Sequence, residues 1–355
     1  MSRRKLVVFL VVVLALGTLT VVGCGGDSGS KDGAYKAAMV TDVGKLGDKS
    51  FNDGVWAGME QAKADLGAET SYLVSEQQTD YVPNLTRLTE DGNPLVVAVG
   101  VLMTDALREV ATAHPDTLYA GIDIDLVDKD YNPIDLPNVR EVLYAEQQVG
   151  YLAGLVAGAM TLEAGASDRL NADKVVGLVA GMKVPSVDRY IAGYIDAVKS
   201  IDPDIKILLT YTDTFIDPTA GKEAALPMYE NGADIVFQVA GKTGLGVFEA
   251  AKDTGHFVIG VDVDQSPELP EVILVSAMKN LQMGAFVAVK DASEGNFDTG
   301  NFVYDLKNDG VGLSSFHDFD SIIPQTLKDL IEKSKADMVS GALAPATIVD
   351  ESLVN

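Results

Sequence analysis

Tyr35-Lys36-Ala37-Ala38-Met39-Val40-Thr41-Asp42-Val43-Gly44 and Val175-Val176-Gly177-Leu178-Val179-Ala180-Gly181-Met182-Lys183 are built alike. Each is a short apolar run that closes on a polar turn, and a helical pattern follows each turn. Near-continuous hydrophobicity marks a strand covered on both faces, which is the habit of parallel sheets. The two stretches open two blocks of alternating strand and helix signals, one before and one after about residue 145.

Strand-like runs recur at 35–43, 70–74, 95–100, 117–123, 139–144, 175–180, 205–211, 234–240, 257–262 and 272–277. Most are bounded by Gly, Pro, Asn or Asp. Between them lie helical patterns. Trp56, Met59, Ala62, Lys63 and Leu66 mark one, stopped by Gly67. Others span 104–114, 146–162, 186–201, 219–231, 244–254, 279–293 and 322–340, and the one at 146–162 is rich in small residues. Gly232 and Gly255 fall where helix C-caps belong. Repeated strand–helix–strand units predict an α/β fold of two doubly wound, Rossmann-like lobes. In such sheets ligands bind beyond the carboxyl ends of the strands.

Length and composition agree. The chain has 355 residues, 47% of them hydrophobic and 22% charged. That suits two packed lobes of about 150 residues each and argues against disorder. The net charge of −25 repels nucleic acid, so no nucleic-acid partner is expected. Cys24 is the only cysteine, which excludes an internal disulfide and a Cys-based metal site. His114, His256 and His317 lack metal-ligand spacing, so neither a metal nor a cofactor is expected.

The N-terminus begins with Arg3, Arg4 and Lys5, continues through an uncharged apolar stretch at 6–22, and reaches Val21-Val22-Gly23-Cys24. This order is that of a signal peptide. The cysteine after a small residue resembles the bacterial lipobox, which implies cleavage of residues 1–23 and lipid attachment at Cys24. Gly25 to Gly33 then reads as a flexible tether, within residues 24–34.

Three strand ends finish on a carboxylate: Asp42, Asp123 and Asp262. A carboxylate accepts two hydrogen bonds at once, from vicinal hydroxyls or the N–H edge of a base. The plainer reading of each is a helix N-cap. Phe51 offers a face for stacking, and Asn52 offers both a donor and an acceptor; alternatively Asn52 caps the helix and Phe51 staples it. Lys279, after Val275-Ser276-Ala277-Met278, is placed to donate to a hydroxyl or to balance the aspartates. Ala240-Gly241-Lys242-Thr243 ends like a phosphate-binding loop, but Val236 stands where that loop needs glycine. GxGxxG and GxSxG motifs are both missing, so no catalytic residue is expected.

These residues carry a resemblance. Thr41 to Gly44 and Asp48 to Asn52, with Trp56 and Gly58, resemble the first signature of the basic membrane lipoprotein family. The likeness continues through 185–193, Gly232-Ala233-Asp234, 239–246, Gly260-Val261-Asp262-Val263-Asp264-Gln265 and 276–279. It implies a type I periplasmic-binding-protein fold with three hinge crossovers. The lobes would comprise 35–142 plus about 264–300, and 143–263 plus about 301–355. It implies a lipid-anchored, extracytoplasmic substrate-binding protein of an ABC transporter, monomeric and not an enzyme, which carries a nucleoside of the purine type to the permease. Asp42 and Asn52 would then face the base, Phe51 and Tyr190 would sandwich it, and Asp123, Asp262 and Lys279 would hold the sugar. Gly241 would allow close backbone approach. Tyr194, Tyr211 and Phe215 are rival rings to Tyr190. Lys242 stands where the family commonly has glycine. A sugar or signalling molecule in the same fold, or a nucleoside-processing enzyme, are the other readings.

Overall fold

The computed structural model describes residues 33–128 and 132–354. The leader and Cys24 lie outside the described residues. The first sheet contains β1 (Lys36–Val40), β2 (Glu69–Leu73), β3 (Leu95–Val99), β4 (Leu118–Ile122) and β5 (Val139–Tyr144). The second contains β6 (Val175–Ala180), β7 (Lys206–Tyr211), β8 (Ala233–Val239), β9 (Phe257–Asp262) and β10 (Ile273–Lys279). Each sheet takes a sixth strand from the C-terminal part of the chain, β11 (Gly300–Tyr304) in the first and β12 (Val311–Leu313) in the second. The strand orders are β11-β5-β4-β3-β1-β2 and β12-β10-β9-β8-β6-β7. All pairings are parallel except that of β12, which runs antiparallel to β10.

The helices cover both faces of each sheet, as near-continuous apolar strands require. Around the first sheet lie α1 (Phe51–Leu66), α2 (Tyr81–Glu90) and α3 (Thr104–Ala113). Around the second lie α4 (Glu146–Met160), α5 (Pro185–Ile201), α6 (Pro218–Glu230) and α7 (Gly244–Thr254). Then α8 (Leu281–Glu294) returns to pack on α1, and α9 (Gln325–Ser340) packs on α4. Alternate residues of one strand feed different cores. Ala37 and Met39 join the cluster that includes Val55 and Met59, whereas Ala38 and Val40 join Leu85 and Leu107 on the other face.

The chain passes between the sheets three times: after β5, after β10 and after β11. Two of the expected lobe boundaries differ from this course. Residues 273–279 do not join the first lobe, because β10 pairs parallel with β9 and the crossing comes only at Lys279. Residues 301–304 do not join the second, because β11 pairs with β5. Arg140, only 2% exposed, fastens this returning strand. Its guanidinium lies between the rings of Phe297 and Phe302, at 4.4 and 4.6 Å, and its Nη1 donates to Asp291 Oδ2 at 2.8 Å. A planar cation suits such a slot.

Candidate substrate-binding cleft

All eight expected ligand-binding residues line one cleft. The walls are strand ends of both sheets: Asp42, Gly100 and Asp123 from the first, and Val239, Gly241, Asp262 and Lys279 from the second.

Asp42 follows β1. Its Oδ1 accepts from the Gly44 N–H and from Asn52 Nδ2, both at 2.8 Å, and its own N–H donates to Asn52 Oδ1 at 3.3 Å. Asn52 Nδ2 also donates to Asp48 Oδ2 at 3.0 Å. The Asn52 amide is thus committed to two aspartates. It orients Asp42 and does not cap α1. Ser50 occupies the N-cap position, but its side chain makes no capping bond. Asp48 takes over that task, accepting from the N–H groups of Ser50 (3.0 Å), Asn52 (2.7 Å) and Asp53 (3.1 Å). The Ser50 hydroxyl is free to reach across the cleft to Asp262 Oδ2 at 2.5 Å.

Asp123 and Asp262 end corresponding strands, β4 and β9, and both have left-handed backbones, φ 58° and 66°. Asp tolerates this region better than most side chains. Neither caps a helix. Asp123 Oδ2 accepts from Lys279 Nζ at 2.5 Å, while Asp123 Oδ1 is buried with no hydrogen-bond partner among the described residues. Lys279, 3% exposed, also donates to Glu146 Oε1 at 3.2 Å, and Glu146 Oε2 accepts from Arg189 Nε at 2.7 Å. The rings of Phe51, Tyr144 and Tyr190 surround its ammonium at 5.1, 5.3 and 5.7 Å. Burial pulls the Lys279 pKa down, but Asp123, Glu146 and Asp262 outweigh it and hold the lysine charged. Burial raises Asp42 and Asp262 above the ordinary carboxylate range, against the hydrogen bonds that each accepts.

Tyr190 is 1% exposed; its hydroxyl donates to Ala277 O at 3.4 Å and its edge meets Phe237. Tyr194 stacks on Phe237 and Tyr211 donates to Asp188 at 2.7 Å; neither lines the cleft. Phe215 does line it and is half-buried. A Cβ on Gly181 would overlap the Phe215 ring, so glycine at 181 makes room for it. Gly241, φ 56°, has the Phe215 carbonyl 3.4 Å from where its own Cβ would sit. Glu146, Asp48, Ser50 and Phe215 are the site residues that sequence reasoning passed over or left as rivals. Only Asp48 has a local signal, an aspartate three residues before a helix start.

Three buried carboxylates set a pH dependence. Burial pushes Asp48 and Glu141 up to about 7 and Asp234 up to about 6. In this window the folded chain binds more protons than the unfolded chain, so stability falls as pH rises through it. The expected result is a melting temperature higher at pH 5 than at pH 8, measured by scanning calorimetry without ligand. Groups held low, such as Asp264 and Asp202, act in the opposite sense only below the ordinary carboxylate range. A melting temperature that falls steadily from pH 8 to pH 5 would contradict the assignment.

Residues 35–347 match the family described as PnrA-like ABC transporter substrate-binding proteins, Bmp. An uncharacterized lipoprotein of Pyrococcus abyssi is 32% identical, over 87% of this chain and 77% of its own. The ABC transporter nucleoside-binding protein BmpA of Lactococcus lactis is 30% identical, over 97% of this chain and 99% of its own. The crystal structure of an ABC transporter solute-binding protein from Aeropyrum pernix superposes with a TM-score of 0.81 at 28% identity, covering 90% of this chain and 95% of that one. Two mostly parallel sheets joined by three crossovers, a cleft between their strand ends, and a match over nearly the whole described chain lead to one conclusion: the protein belongs to the PnrA-like family of ABC transporter substrate-binding proteins.

Proposed function

We propose that the cleft captures a nucleoside, with a purine base, and that closure of the two lobes on it presents the loaded form to an ABC permease. The observation that carries this reading is the division of the cleft into two chemistries. Near the hinge, Asp123, Asp262 and Lys279 gather two carboxylates and an ammonium, with Asp123 Oδ1 buried and unpartnered. That set suits vicinal hydroxyls, each of which donates one hydrogen and accepts another. The ring of Phe51 reaches from the Lys279 ammonium, 5.1 Å away, toward Gly100 and Asp42, and Phe215 lines the cleft from the second sheet, which suits a flat base presenting an N–H. Phe215 fits the part of second ring better than Tyr190, because Tyr190 is closed into the core and walls the hinge end. The name of the Lactococcus relative, a nucleoside-binding protein, supports the same ligand class.

Capture needs no turnover, and in this reading the chain acts by binding alone. In this reading Cys24 carries the lipid anchor and keeps the protein, as a monomer, at the outer face of the cell membrane. Isothermal titration of the purified protein with guanosine, inosine, adenosine and cytidine tests the ligand class. Heat of binding is expected for the purine nucleosides and weaker heat for cytidine. Silence toward all four, with heat from a pentose or hexose, would favour a sugar in the same fold.

A further inference from the structure

Lys242 is the cation in the cleft that the nucleoside reading leaves unused. It lines the cleft in the turn after β8, and among the described residues no carboxylate or carbonyl engages its ammonium. That turn is bonded to the neighbouring turn that carries Phe215: the Thr243 N–H donates to Phe215 O at 3.3 Å, and Thr243 Oγ1 donates to Thr214 O at 3.2 Å. Lys242 therefore stands beside the outer aromatic ring and not with the Lys279 cluster. Sheet order gives the same placement. From the hinge outward the second sheet runs β10, β9, β8, β6, so Lys242 sits one strand beyond Asp262.

Across the cleft, Asp42 has its Oδ1 occupied by Gly44 and Asn52, while Oδ2 accepts no hydrogen bond from a described residue. A Cβ on Gly100 would come within 3.0 Å of that oxygen, so glycine at 100 leaves it open. The outer end of the cleft thus offers one free acceptor from the first lobe and one free cationic donor from the second. A dianionic phosphate is a poor match for the cation, because Asp42, Asp48, Asp123 and Asp262 line the same space.

We infer that Lys242 and Asp42 together select a base with a lactam edge, an N–H next to a carbonyl, so that Lys242 is a specificity-determining residue for 6-oxopurine over 6-aminopurine nucleosides; this rests on the nucleoside reading above. Asp42 Oδ2 accepts the ring N–H. Lys242 donates to the carbonyl and the ring nitrogen beside it, the pairing by which lysine reads guanine. Adenine puts an amine where the lactam has its carbonyl, so a donor meets a donor.

The test is titration of the purified protein and of Lys242→Met and Lys242→Arg with guanosine, inosine and adenosine. The unaltered protein is expected to prefer guanosine and inosine over adenosine by at least about tenfold, Lys242→Arg to keep that preference, and Lys242→Met to reduce it below about threefold. A merely solvated or structural lysine would leave the ratio unchanged, whatever happened to absolute affinity. An unchanged ratio in Lys242→Met, or a preference for adenosine in the unaltered protein, overturns this inference while the nucleoside reading stands. Binding of none of the three overturns both.

Discussion

Lys279→Met is expected to lose ligand binding by at least about 100-fold and to destabilise the fold by about 3–5 kcal/mol, the cost of breaking a buried ion pair from one side. The reason lies in what Lys279 leaves behind. Its ammonium is 2.5 Å from Asp123 and 3.2 Å from Glu146, and all three groups are buried. Glu146 keeps Arg189 at 2.7 Å, so the uncompensated charge would be that of Asp123. Adding Asp123→Asn to Lys279→Met removes that charge and should restore most of the stability. It should not restore binding, because both ligand-facing groups are then gone. Chemical denaturation and calorimetric titration of the three proteins separate the two effects. A Lys279→Met protein as stable as the parent would refute the ion network, and one that binds its ligand normally would remove Lys279 from the site.

That network also shows where the sequence can be read and where it cannot. Central strands such as β3, with all five residues buried, stand out because burial on both faces demands uninterrupted apolar residues. The edge strand β11 alternates between half-buried and exposed positions, and β12 has only three residues, so neither gives that signal. Helix α2 has Tyr81, Leu85 and Leu88 buried at helical spacing, but Pro83 in its first turn reads as a breaker. Asp42, Asp123 and Asp262 were legible because each ends a recognisable strand. Their partners were not. Glu146 meets Lys279 at a sequence separation of 133, and Ser50 meets Asp262 at one of 212. No local pattern encodes a contact that only the crossovers create. The lobe boundaries slipped for the same reason: whether a strand near the hinge stays or crosses is settled by pairing, not by composition.

The small residues of α4 gave a pattern without a cause, and the structure supplies one. A Cβ on Gly150 would overlap the carbonyl oxygen of Tyr190, and one on Gly193 would overlap that of Gln147. The backbones of α4 and α5 touch there, so no side chain can rotate away to make room. Alanine gains about 1 kcal/mol of helix propensity over glycine, but the added methyl must push α5 off α4. Overpacking of this kind costs about 1–3 kcal/mol and more where backbone is the obstacle. Gly150→Ala is therefore expected to be destabilising on balance, and Gly150→Val by about 3 kcal/mol or more. Gly158, on the same helix, is the control. Its nearest contacts would be Val198 Cα at 3.3 Å and Ile201 side-chain atoms at 3.4 Å, so Gly158→Ala should be near neutral. Function follows the same contact, because α4 begins at Glu146 and α5 carries Arg189 and Tyr190. Displacing Tyr190 disturbs the hinge wall of the cleft and the Glu146–Arg189 pair that steadies Lys279. Gly150→Ala should thus lose affinity as well as stability, whereas Gly158→Ala should lose neither. Equal melting temperatures and equal affinities for the two variants would show that the α4–α5 approach does not hold the site in place.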